Sequence, residues 1–214
     1  MSKIPEGWQL CNCCITLSVC AIKTSSFERN LHILFHEVIC LKQLKRYTII
    51  GTILVLVLGT LSHFLYDWTG NNHIAGYFTP INESVWEHMK MIFFPMLLYS
   101  LFIIFKLKKT YPYIASSFCF GILTGTALIP VLFYAYTALL GKDYLIIDIG
   151  IFILSVIIAF WLSYKLTLSC KLESYTFLLC YVVCLIFISF VLLTYYPPKA
   201  SLFSDYSQLE AKTH

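Results

Sequence analysis

Apolar residues along this chain gather into long runs, with most charged residues confined to the short segments between them. A helix of about 20 residues crosses the hydrocarbon core of a bilayer, and the runs have that length. The first extends from about Tyr47 to Tyr66. The second has its apolar core between Met89 and Phe105, with a helix start expected near Ser84. The third covers Tyr113 to Leu140 and contains Pro130, which is expected to kink it. The fourth covers Tyr144 to Tyr164, and the fifth Tyr175 to Tyr196, where Pro197 and Pro198 stop it. Lipid cannot satisfy free backbone N–H and C=O groups, so the spans must be helical. The pattern predicts an all-α fold, a polytopic transmembrane helical bundle of about five spans. The expected membrane domain is 46–197, with an N-terminal extension 1–45 and a C-terminal tail 198–214.

Composition strengthens this reading. Hydrophobic residues make up 59% of the chain and charged residues 12%, and mean hydropathy is +0.78. Soluble domains carry about 25% charged residues, so the expected partner of this surface is the lipid bilayer. The net charge of +4 is modest and lies in small clusters beside the runs. No basic face with groove-reading elements is present, which argues against nucleic acid as a partner.

Those clusters give an orientation. Lys42, Lys45 and Arg46 precede the first run, Lys106, Lys108 and Lys109 follow the second, and Lys165 and Lys171 follow the fourth. The opposite segments hold only Lys90, Lys142 and Lys199. The positive-inside bias places the N-terminus in the cytoplasm and the C-terminus outside a multi-pass cytoplasmic membrane. Tyr66, Trp68, Tyr77, Trp86, Tyr134, Tyr136, Tyr144, Tyr195 and Tyr196 then fall near the outer boundary, as an aromatic belt would.

Residues 1–45 differ from the rest. The apolar stretch Trp8 to Ile22 is too short to span and lacks a signal-peptide cleavage pattern. A second short patch, Leu31 to Cys40, contains His32 and His36. The expectation is a weakly structured or interfacial extension, or an upstream translation product with the true start near Leu41. The nine cysteines fit no zinc spacing, and Cys180 and Cys184 share one helix face as small apolar side chains. Gly59-Thr60 in the first run echoes Gly125-Thr126 in the third, too little to indicate a duplicated architecture.

Chemistry concentrates at one predicted depth. His63 and Asp67 are four apart at the outer end of the first span, so they share a face. Glu83, Glu87 and His88 lie at the start of the second span, and Asp148 in the fourth. Structural roles exist for each. Ser84 and Glu87 have capping-box spacing, Glu83 and Glu87 suit a helix N-terminus, and Asp148 can bond Tyr134 or Tyr136. The functional reading takes His63, Asp67, Glu83, Glu87, His88 and Asp148 as acid–base groups or metal ligands, with His63, Glu87 and His88 as the candidate set for a divalent metal. No HExxH-type signature is present. An acid within an apolar run is costly, which makes Asp148 a ligand or proton-acceptor candidate.

The segment Ser62-His63-Phe64-Leu65-Tyr66-Asp67-Trp68-Thr69-Gly70-Asn71-Asn72 precedes Phe78-Thr79-Pro80-Ile81-Asn82-Glu83-Ser84-Val85-Trp86-Glu87-His88-Met89-Lys90 and then Phe93-Phe94-Pro95-Met96. With Ile129-Pro130-Val131-Leu132-Phe133-Tyr134, Ile146-Ile147-Asp148-Ile149, Tyr196-Pro197-Pro198-Lys199 and Leu202-Phe203, it resembles a family of small bacterial multi-spanning membrane proteins known only as a domain of unknown function. The resemblance covers about residues 42–205 and implies a membrane location and a shared outer-face motif, but no reaction. A bacterial origin argues against glycosylation at Asn82-Glu83-Ser84. Two functions compete from the sequence: a membrane-embedded enzyme, using a metal or acid–base groups, on lipid or another envelope substrate, and a proton- or ion-coupled transporter or channel component built on Asp148. A non-catalytic scaffold is the third.

Overall fold

The computed structural model describes residues 26–169 and 171–205, with side chains from residue 38 onward. The extension's first 25 residues, with Cys11, Cys13, Cys14 and Cys20, lie outside the described residues, as do Cys170 and the tail beyond residue 205. Among the described residues every regular element is helical: α1 (Ser26–Trp68), α2 (His73–Phe78), α3 (Val85–Leu107), α4 (Ile114–Leu140), α5 (Leu145–Ser169) and α6 (Thr176–Leu193), with short 3₁₀ turns at Glu173–Tyr175 and Ser201–Phe203. Five segments are long and apolar enough to cross a bilayer: Val38–Trp68, α3, α4, α5 and Glu173–Leu193. The protein is a multi-pass all-α membrane bundle, and the predicted runs fall on these spans. The first helix begins earlier than the apolar pattern, because its polar segment before Tyr47 continues the same helix toward the N-terminus.

Local chemistry ends and starts these helices. Gly70 and Asn71 both take left-handed φ, 68° and 59°. The Asn71 N–H donates to the Tyr66 carbonyl and the Gly70 N–H to Asp67, which closes α1. Glycine and asparagine tolerate this conformation best. Asn72 then caps α2, its side chain accepting from Ile74 and Ala75. Ser84 caps α3 through the Glu87 N–H. Only half of the anticipated capping box forms, since Asn82 rather than Glu87 accepts the Ser84 N–H.

α3 is the central helix. It is the most buried span, at 61% of its apolar window, while the fifth span reaches only 11%. Neighbouring spans run antiparallel: Gly51 of α1 lies against Tyr99 of α3, and Gly59 against Met91. Lipid supplies no hydrophobic drive between helices, so close contact must do that work. At Gly59 a Cβ would come within 2.5 Å of both the Met91 carbonyl oxygen and the Phe152 ring. Pro95, four residues after Met91, has no N–H to occupy that carbonyl. α1 therefore crosses where α3's own ladder has a gap. Gly125 serves α4 similarly against Ile92 and Ala159. The Gly59/Gly125 echo is thus a shared packing solution. α6 closes the bundle through Phe187 and Phe190 on Phe93, Phe94 and Trp86, and Phe203 of the tail folds back onto Trp86.

Antiparallel order sorts the charges. The Lys42–Arg46, Lys106–Lys109 and Lys165–Lys171 clusters gather at one end of the bundle. The end of α1, α2, the start of α3 and the α4–α5 turn gather at the other. Span hydroxyls are mostly spent on their own helices: Thr48 donates to Leu44, Ser163 to Ala159 and Thr167 to Ser163.

Candidate functional site

At the end away from the lysine clusters, three side chains converge. His63 lies in α1, one turn beyond the Gly59 crossing. His88 lies in the first turn of α3, and its Nδ1 sits 2.9 Å from the Ser84 carbonyl. A carbonyl can only accept, so Nδ1 carries a hydrogen; Nε2, which faces the Glu83 carboxylate, donates to it when the ring is protonated and offers a lone pair only when the ring is neutral. Glu83 precedes the helix cap and reaches between the two rings. Its Oε2 is 3.3 Å from His88 Nε2 and its Oε1 3.7 Å from His63 Nε2. The ring centroids stand 5.3 Å apart. The hydrogen bond from His88 holds the Glu83 carboxyl below the usual carboxylate range, against the opposing effect of partial burial. His63 Nδ1 is buried and, among the described residues, has no hydrogen-bond partner.

The three ligand atoms lie within 4.8 Å of one another. A tetrahedral zinc site with bonds near 2.0–2.1 Å separates its ligand atoms by about 3.4 Å; the two imidazoles contact different oxygens of Glu83, at 3.3 and 3.7 Å, so side-chain adjustments would bring one oxygen and both nitrogens to that spacing. His88, oriented by a backbone carbonyl through its other nitrogen, is in the arrangement usual for a metal-binding histidine. The set fits a divalent cation. It also works as a hydrogen-bonded acid shared by two imidazoles.

The remaining sequence candidates are distributed around this trio. Asp148, in the first turn of α5, accepts from the Tyr136 hydroxyl at 2.6 Å, and that hydroxyl accepts from the Tyr144 N–H. It is half-buried and within electrostatic range of His88 and Glu83. Asp67 is exposed and within electrostatic range of His63. Glu87 does not join the histidines. Its Oε2 is 2.7 Å from Lys90 Nζ and accepts the Ile81 N–H at 3.1 Å. The convergent carboxylate is Glu83, one helical turn earlier. Lys90, read from sequence only as a charge at a helix start, is wholly buried and donates also to the Gly76 carbonyl and Thr194 Oγ1. The signal available for it was a lysine three residues after a glutamate, inside an apolar span.

An apolar side chain packs on the trio: Phe64 lies edge-on to His63 at 5.2 Å. Phe64 and Trp68 stack on α1, and Leu145 and Ile149 stand exposed on α5. No curated protein and no solved structure matches the chain. Residues 37–210 match a family described only as of unknown function, DUF6512. With most of its length covered, including every residue of the trio, this membrane bundle belongs to that family of unknown function.

Proposed function

We propose that the chain is a membrane-embedded, divalent-metal-dependent enzyme acting on a lipid or other envelope substrate, with His63, Glu83 and His88 holding the ion. The observation that carries this reading is the convergence of two imidazoles and one carboxylate within 4.8 Å at one end of the bundle. Two histidines and a glutamate leave a coordination position open, the ligand set of hydrolytic rather than structural zinc. Bound there, the ion would acidify a water molecule. Asp148, steadied by Tyr136 and within electrostatic range of His88, would take up the proton, and Asp67, within electrostatic range of His63, would steady that ring. The exposed Phe64, Trp68, Leu145 and Ile149 support an amphiphilic substrate entering from the bilayer. Hydroxyls bonded to their own helices support an enzyme over a transport path through the lysine-rich half.

The lysine distribution supports a cytoplasmic N-terminus, a site on the extracytoplasmic face and residence in a bacterial cytoplasmic membrane. A reporter fused after Gly141 is expected to read the extracytoplasmic side and one fused after Lys109 the cytoplasm, and the reverse assignment or a shared compartment would refute that orientation.

The direct test is metal content. Purified protein, loaded with Zn²⁺ and desalted, is expected to retain one ion per chain, and His63→Ala with His88→Ala is expected to abolish retention without lowering the melting temperature appreciably. Wild-type protein that retains no ion, or a double variant that still binds it, would end the metal reading.

A further inference from the structure

We infer that the buried Glu87–Lys90 pair is a positioning clamp that holds Glu83 against the two histidines; this rests on the site proposed above but concerns residues outside it. Lys90 is 0% exposed. Its three donors meet Glu87 Oε2 at 2.7 Å, Thr194 Oγ1 at 2.7 Å and the Gly76 carbonyl at 3.0 Å. An ammonium has three N–H bonds, so the side chain is fully satisfied. It ties α2, α3 and the end of α6 at one point.

Glu87 transmits that anchorage. The oxygen that accepts from Lys90 also accepts the Ile81 N–H. Ile81 opens the four-residue segment leading to the Ser84 cap, and Glu83 lies in that segment. Its other end is held by Asn82 on the Ser84 N–H, and the Ser84 carbonyl in turn orients His88. Glu83 itself is half exposed and meets the two histidines with its two oxygens. Its location therefore depends on a backbone segment fastened at Ile81 and Ser84.

Burying two ions is a poor route to stability alone. An apolar pair of similar volume is often as stabilising, whereas removing one partner leaves a buried unpaired charge. What the ion pair supplies that an apolar pair cannot is a directed acceptor for the Ile81 N–H. Stability and site geometry should therefore separate when both charges are replaced together.

The experiment uses full-length protein carrying Glu87→Leu with Lys90→Met. Its melting temperature is expected to stay close to wild type, while its Kd for Zn²⁺ rises by about tenfold or more, as for lost outer-shell support. An unchanged Kd in a folded double variant would overturn the clamp and leave the metal site standing. A second measurement needs no metal. His63→Cys with Glu83→Cys is oxidised in membranes, and the 63–83 cross-link is quantified by mass spectrometry with and without the clamp substitutions. Slower cross-linking without the clamp is expected, and equal rates would overturn the inference even if wild-type protein binds no ion. Should Glu87→Leu with Lys90→Met fail to fold, Ile81→Pro is the substitute: it deletes the N–H that Glu87 accepts and leaves the ion pair intact, so the cross-link should slow, and a wild-type rate would overturn the inference.

Discussion

Tyr195 shows how a single side chain fastens the cap of the bundle. Its hydroxyl donates to the His73 carbonyl at 2.9 Å, and its ring packs on His73 and Tyr77. Burial pushes its hydroxyl above the ordinary tyrosine value. An unfolded tyrosine loses its proton near pH ~10, while the folded one keeps it to higher pH. The contribution is thus fully present below about pH 10 and lost as pH rises through the folded value. Tyr195→Phe is expected to flatten the alkaline decline in thermal stability relative to wild type; parallel pH profiles above that value would contradict it. The residue scale is also where the sequence was least informative. Glu83 and Glu87 look equivalent when spaced on one helix. Glu83, however, precedes the Ser84 cap, so its direction is set by a loop rather than by helical periodicity. Lys90 finds partners 14 and 104 residues away, which no local pattern encodes. By contrast His63, His88 and the Asp148–Tyr136 bond were readable, because polar groups inside apolar runs are costly and must have partners.

At the scale of elements, the five spans were legible because hydropathy reports the solvent itself, and bilayer thickness sets their length. The start of α1 was not, since a polar helix leaving the membrane carries no apolar pattern. Helix crossings were legible only as an unexplained Gly-Thr echo. The fold gives it a cause: Gly59 fits α1 over the carbonyl that Pro95 leaves free. Gly59→Ala forces backbone and ring apart and is expected to destabilise the protein by about 1–3 kcal/mol. Gly150→Ala is the control. A Cβ there meets nothing within 4 Å, and removing a helical glycine should be neutral or stabilising by about 0.5–1 kcal/mol. Denaturation of both variants in detergent reads the difference, and equal stabilities would contradict the crossing.

Across the whole molecule, antiparallel packing separates two chemistries. The lysine clusters occupy one end, and the His63–Glu83–His88 trio with Asp67 and Asp148 occupies the other. α2 and the end of α6 are pinned over that second end by Lys90 and Tyr195, so the bundle carries a rigid polar cap above an apolar shaft. The proposed metal-dependent site rests on this division as much as on any single residue. The most direct test is anomalous diffraction from crystals of the Zn²⁺-loaded protein. A peak bonded to His63 Nε2, His88 Nε2 and a Glu83 oxygen is expected. Zinc bound elsewhere, or no peak while the three side chains stay hydrogen-bonded to one another, would contradict it.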